Sequence, residues 1–178
     1  RAHAGEPWTV VRRAHETAAI LDDLYLNQLH LAPRAGGLGI VAAGVVIAYL
    51  EEGFEIAAGY GLEREAVSVL EVRASHPFPV VQAQKLLAHC DTILVLEELE
   101  PYLERGITLE AHRTGFEGRI VGKLKGPLSR VGEYGLNQLV SGLADALKEL
   151  GRRRELSPAL GADPSHQPLS DHEVGRGG

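Results

Sequence analysis

The 178-residue sequence has no methionine, one cysteine (Cys90), one tryptophan and only 5% aromatic residues. Each scarcity excludes something. A single thiol cannot close an internal disulfide, and it cannot by itself ligate a zinc ion or an iron–sulfur cluster. A reducing compartment is the matching expectation. Without methionine there is no initiator, so the expectation is a segment of a larger polypeptide. No apolar run approaches the roughly 20 residues that cross a bilayer. The opening "RAHAGEPW" lacks the apolar core of a signal peptide. A cytoplasmic chain with no membrane partner is therefore expected. Basic residues are also in the minority, 18 Lys and Arg against 24 Asp and Glu, for a formal net charge of -6. That balance argues against a nucleic-acid partner, and the run Arg152 to Arg154 is too short to reverse it.

What is present fits one folded domain with an appendage: 44% hydrophobic and 24% charged residues are ordinary globular values. Apolar residues between Val10 and Leu29 follow helical spacing, and "LNQLHLA" then alternates as a short edge strand before the break at "PRAGG". Beyond that point short apolar runs alternate with amphipathic stretches. "LGIVAAG" (Leu38 to Gly44), "AVSVLEV" (Ala66 to Val72), "DTILVLEE" and the short "GRIVGKL" predict strands, the first of them buried on both faces.

Between them, "VVIAYLEEGFEIAA" predicts a helix with Glu51, Glu52 and Glu55 on its wet side, and "VVQAQKLLAHC" one that starts near Pro79. "PYLERGITLEAHRTG" predicts a weaker helix interrupted at Gly106. Leu136, Leu139, Val140, Leu143, Leu147 and Leu150 predict a last helix closed by Gly151. This alternation implies an α/β fold: a three-layer αβα arrangement with a mostly parallel sheet of about five strands and a possible antiparallel edge strand. The expected divisions are a helical connector with edge strand over 1–37, the α/β domain over 38–150, and a disordered tail or linker over 151–178.

The motifs are mostly negative. "GGLGIVAAG" has its glycines before the strand, where a dinucleotide fingerprint needs them after it, and "GRIVGKL" lacks the spacing of a phosphate-binding loop. No His-x-x-x-His pair supports a metal site, and no Gly-x-Ser-x-Gly elbow is present. Cys90 ends the stripe Ala83, Leu86, Leu87 as a buried small hydrophobe. Four residues remain as interface candidates. Gly44 lies at a strand-to-helix turn whose amides could receive an anion. His76 lies in the loop after a strand, and Glu97 and Glu98 close the run "VLEELEP". In that run Glu98 and Glu100 are expected near a helix N-terminus, favoured by its dipole, with Glu97 and Glu98 facing opposite ways.

The order of the segments "GIVAAG", "LEVRASHPFP", "CDTILVLEELEP", "GK" and "GEY" before a last helix resembles the 2-oxoacid:ferredoxin oxidoreductases. The similarity is to the central, transketolase C-terminal-like domain of the indolepyruvate:ferredoxin oxidoreductase α subunit, and it covers about Leu38 to Leu150. The residues matching family motifs are Gly39 to Gly44, Ser75 to Pro79, Glu97 to Pro101, Gly122 with Lys123, and Gly132 to Tyr134. The resemblance implies a non-catalytic, architectural domain. The parent enzyme would use thiamine pyrophosphate, Mg2+ and iron–sulfur clusters held by other domains, and would pass electrons to ferredoxin. Cofactors bound by this segment are expected to be none, and its partners are expected to be the neighbouring thiamine-binding domains or subunits. Two other classes are weighed against this. One is a stand-alone flavodoxin-like module binding an anion or nucleotide near Gly44 and His76. The other is a small hydrolase or transferase with Glu97 or Glu98 as general base, for which no partner group is visible.

Overall fold

The computed structural model describes residues 26–124, 128 and 134–149, together with Arg12, Arg13, Glu16, Thr17 and Ile20, all five helical. Most of the helix expected over Val10 to Leu29, Gly151 and the tail lie outside the described residues.

The strands are β1 (Gln28–His30), β2 (Leu38–Ala43), β3 (Ser68–Val72), β4 (Thr92–Leu96) and β5 (Arg119–Val121). They form one five-stranded sheet in the order β1-β3-β2-β4-β5. β1 runs antiparallel to β3, and every other pairing is parallel. The antiparallel edge strand is therefore present and belongs to the sheet. The helices are α1 (Val46–Ala58), α2 (Val80–His89), α3 (Tyr102–Thr114) and α4 (Leu136–Glu149).

Alternation along the central strands sends successive side chains to opposite faces. Ile40, Ala42, Leu94 and Leu96 join a core with Leu50 and Phe54 of α1 and Leu139 and Leu143 of α4. Val41, Ile93 and Val95 join a second core with Leu86 and Leu87 of α2 and Leu103 and Ile107 of α3. Two cores on two faces make the fold a three-layer αβα domain. β4 is buried at all five positions, which is why its sequence is a continuous apolar run rather than an alternating one.

The third helix corrects an expectation. It is unbroken from Tyr102 to Thr114, and a Cβ on Gly106 would meet the Phe78 ring. Packing of Leu103, Ile107 and Ala111 against the sheet outweighs the low helix propensity of one glycine, about 1 kcal/mol. A similarly close approach occurs at Gly53 of α1, where a Cβ would fall on the Leu139 side chain of α4.

Buried Asn27 ties the start of β1 to the far end of β3. Its Oδ1 accepts from the Arg73 and Ala74 amides at 3.0 Å, and its Nδ2 donates to the Ala74 carbonyl at 3.0 Å.

Candidate functional site

Parallel strands place all their C-terminal ends on one edge of the sheet. The chain passes from β2 to β3 on one side, then crosses to β4 on the other. α1 and α2 cover opposite faces. The carboxyl edge between β2 and β4 is thus a topological switch point, the place where open α/β sheets generally receive ligands. Gly44 follows β2, His76 lies in the loop after β3, Glu97 and Glu98 follow β4, and Lys123 follows β5. The four candidates read from sequence therefore share one edge, where they do different things.

Glu97 is buried, and its carboxylate caps α3. Oε2 accepts from the Leu103 amide at 2.7 Å and Oε1 from the Glu104 amide at 2.9 Å. These are amides of the first helical turn, which have no partner inside the helix. Glu98 and Glu100 precede that N-terminus closely, as the sequence suggested, but the acid that bonds its amides is Glu97, which the sequence did not single out for that role. The residue preceding the helix is Pro101, which makes no side-chain cap, and the buried carboxylate just past the strand end fills the role. Burial pushes the Glu97 carboxyl above its ordinary range, although the two amides and nearby Lys123 pull it back. Glu100 instead lies in an exposed ion pair with Arg105 at 3.5 Å.

Glu104 repeats the arrangement one step further on. It is buried, and its carboxylate accepts from the Lys123 amide at 2.7 Å and from the Leu124 amide at 2.9 Å. The Lys123 side chain then returns to the loop after β4: its Nζ donates to the Leu99 carbonyl at 2.8 Å and lies 4.6 Å from the centre of the Tyr134 ring. Desolvation holds this ammonium below its usual pKa, against the pull of Glu97, Glu98, Glu100 and Glu104. Tyr134 is pushed up to about 12, first by burial and then by Glu97 and Glu104. A closed circuit of hydrogen bonds thus runs from the end of β4 to α3, to the end of β5, and back.

Glu98, which like Glu97 lies beyond the end of β4, engages different partners. Its Oε1 accepts from the Tyr134 amide at 3.4 Å, and its Oε2 lies 3.7 Å from where a Cβ on Gly44 would be. Gly44 has a φ of +68°, a left-handed turn that glycine adopts without strain. With a carboxylate beside it, this turn faces negative charge across the switch point, which opposes the capture of an anion. His76 is exposed, and its Nδ1 lies 3.1 Å from the Tyr102 Oη. It forms no ion pair with the edge acids among the described residues.

Leu99 carries the one positive φ of a non-glycine residue among the described residues, +53°. That conformation costs about 1–2 kcal/mol for an L-residue with a Cβ. The Lys123 ammonium holds its carbonyl, and its side chain is 71% exposed.

Sequence reasoning missed Asn27, Glu104 and Glu110. Glu110 is also buried, bridged by Gln84 at 2.8 Å and by Arg113 at 2.7 Å, and it ties α2 to α3 away from the edge. Glu110 has one local partner, Arg113 three residues on, but the other partners of these three lie on other elements, 19 to 47 residues away in sequence. Cys90 is buried, and burial pushes its thiol up.

Among the described residues no three His, Cys, Asp or Glu side chains are arranged to hold a metal ion. The edge carboxylates already accept backbone amides. With Cys90 the one thiol of the sequence, and buried, the described residues supply no thiolate set for an iron–sulfur cluster. No described helix is long and apolar enough to cross a membrane.

No protein-family model matches the chain. Three curated relatives do. The indolepyruvate oxidoreductase subunit IorA of Methanothermobacter thermautotrophicus is 29% identical over 140 residues, 77% of this chain and 22% of that protein. The subunit of the same name from Methanothermobacter marburgensis is 26% identical over 137 residues, 75% of this chain and 21% of that protein. The one from Archaeoglobus fulgidus is 28% identical over 112 residues, 63% of this chain and 16% of that protein. The chain thus spans about a fifth of the length of the curated relatives it matches.

Among solved structures, the fold is similar to part of a 2-oxoglutarate:ferredoxin oxidoreductase from Magnetococcus marinus, with a TM-score of 0.57 and 17% identity over 79% of this chain and 23% of that one. It is also similar to a split-gene transketolase in an inactive β4 tetramer, with a TM-score of 0.52 and 14% identity over 68% of this chain and 42% of that one. The resemblance drawn from the order of sequence segments is therefore matched by named indolepyruvate oxidoreductase subunits, and the fold by oxidoreductase and transketolase domains.

Proposed function

We propose that the chain is the non-catalytic, transketolase C-terminal-like domain of a thiamine pyrophosphate-dependent 2-oxoacid:ferredoxin oxidoreductase of the indolepyruvate type. On this reading the parent enzyme oxidatively decarboxylates an aryl 2-oxoacid and passes electrons to ferredoxin. Thiamine pyrophosphate, Mg2+ and iron–sulfur clusters sit in its other domains.

One observation carries the non-catalytic part. The acids at the carboxyl edge, where a ligand or a general base would be sought, are engaged in holding the edge together. Glu97 and Glu104 each accept two backbone amides, and Glu98 reaches the Tyr134 amide. A general base needs a free lone pair aimed at a substrate proton, and these carboxylates aim theirs at the backbone. The same geometry weighs against the stand-alone anion-binding alternative, since Glu98 lies beside Gly44.

Two assays test the reading together. The purified chain, given indolepyruvate, thiamine pyrophosphate, Mg2+ and a viologen dye, gives no dye reduction. Mixed with the remaining domains of the parent oxidoreductase, it co-elutes with them in size-exclusion chromatography. Turnover by the chain alone, or failure to associate, overturns the proposal.

A further inference from the structure

Two short segments close the carboxyl edge, and they hold each other. Residues 97–101 follow β4, and residues 123–124 follow β5. Both are fastened through side chains. Glu97 of the first segment accepts the Leu103 and Glu104 amides, Glu104 accepts the Lys123 and Leu124 amides, and Lys123 Nζ returns to the Leu99 carbonyl. A Cβ on Gly122 would fall on the Glu104 carboxylate, so glycine at this position lets that acid reach the second segment. Each bond in the circuit places the donor or acceptor of the next, which ties the release of one amide to the release of the others.

The closed circuit carries costs that the sheet itself does not need. Glu97, Glu104 and Lys123 are each 5% exposed or less, and taking charge out of water is costly even where it is hydrogen-bonded. Leu99 is left-handed while its side chain stays exposed, so no burial of that side chain compensates its strain. Lifting both segments returns the charges to water and relaxes Leu99, while Leu94 and Val95 of β4 stay within the two cores. Hydrogen bonds favour the closed form; strain and desolvation oppose it. Local openings are drawn from parts of a structure balanced in this way.

We propose that residues 97–101 and 123–124 open together as one strap across the carboxyl edge, with the sheet intact, and that a proton on Glu97 keeps the strap shut. This device is independent of the function proposed above. Its sign follows from burial. In the shut form desolvation holds the Glu97 carboxyl above its ordinary range, against the pull of the Glu104 and Leu103 amides and of Lys123; in the open form it lies in water. Protons therefore bind the shut form more tightly, and lowering the pH from 7 toward 4.5 favours it. The other titratable groups facing the strap are Glu104 of α3, Lys123 after β5 and Tyr134 before α4. Glu98 and Glu100 lie on the strap itself, Glu100 paired with Arg105, and His76 faces it from the loop after β3 through Tyr102.

Amide hydrogen exchange of the full chain tests this, with rates corrected for the intrinsic effect of pH. The Leu103, Glu104, Lys123 and Leu124 amides are expected to show protection factors within roughly threefold of one another, and roughly tenfold or more below those of Ile93, Leu94 and Val95 in β4. Low concentrations of urea leave these four rates unchanged and accelerate exchange in β4, as a local opening requires. Protection of the four amides rises as the pH is lowered from 7 toward 4.5. Glu97→Gln loses that rise, and His76→Ala keeps it. Exchange of the four amides at separate rates, or only together with β4, overturns the strap. So does protection that stays flat across this range, a rise that survives in Glu97→Gln, or one that His76→Ala abolishes. Should Glu97→Gln fail to fold, the urea and pH series of the parent sequence decide alone.

Discussion

Replacing Glu97 separates a structural carboxylate from a catalytic one. Its two oxygens accept from the Leu103 and Glu104 amides at 2.7 and 2.9 Å in a site closed to solvent. Glu97→Ala removes both acceptors and leaves two buried donors of the first turn of α3 without partners. Each orphaned donor costs about 1–3 kcal/mol. Relief of the desolvation that raises the Glu97 pKa offsets part of this, so the net loss is about 2–3 kcal/mol. With a urea slope of about 2 kcal/mol per M for a chain of this size, the midpoint falls by about 1–1.5 M.

Glu97→Gln keeps one acceptor and has no charge to desolvate, so its midpoint lies between those of Glu97→Ala and the parent sequence. The pH dependence has a definite sign. The folded-state pKa is raised above the ordinary value of 4.5, so between 4.5 and the folded value the native state holds a proton that the unfolded chain has lost. The stability linked to Glu97 is thus fully present below 4.5 and is lost as pH rises through the folded pKa. The advantage of the parent sequence over Glu97→Gln therefore grows as pH is lowered from 7 toward 4.5. A Glu97→Ala midpoint within about 0.2 M of the parent sequence would refute the capping role.

Two further outcomes follow from the same packing. Tyr134 is pushed up to about 12, so ultraviolet titration of the folded chain shows a last phenolate step there that Tyr134→Phe removes. By linkage, the stability tied to Tyr134 is complete below pH 10 and is lost toward 12; titration of every tyrosine near 10 contradicts this. Gly53→Ala gains helix propensity but sets its Cβ on Leu139, so Tm is expected to fall, with a net loss of about 1–2 kcal/mol. A raised Tm would show that α1 and α4 pack less closely than described.

The sheet was legible because its central strands are buried on both faces, and burial on both faces leaves a continuous apolar run such as "LGIVAA" or "TILVL". Helical spacing likewise revealed α1, α2 and α4. α3 was read as interrupted because Gly106 speaks against a helix locally, whereas the Phe78 ring that uses its missing side chain lies 28 residues away in sequence. The edge itself was legible, since the ends of parallel strands must gather. The division of labour among its acids was not. Glu97 caps amides six and seven residues on, Glu104 reaches 19 and 20 residues, and Asn27 reaches 46 and 47. Composition cannot distinguish these buried acids from the solvated Glu51, Glu52 and Glu55, which are exposed on α1 as their spacing predicted.

The carboxyl edge either binds a ligand or binds itself. Isothermal titration of Mg2+–thiamine pyrophosphate into the chain asks this directly, because one ligand offers the diphosphate, the metal and the cofactor together. The prediction is no saturable heat at millimolar ligand, with the parent sequence and His76→Ala indistinguishable. Micromolar one-to-one binding that His76→Ala abolishes would contradict it, and would make the edge a binding site in its own right.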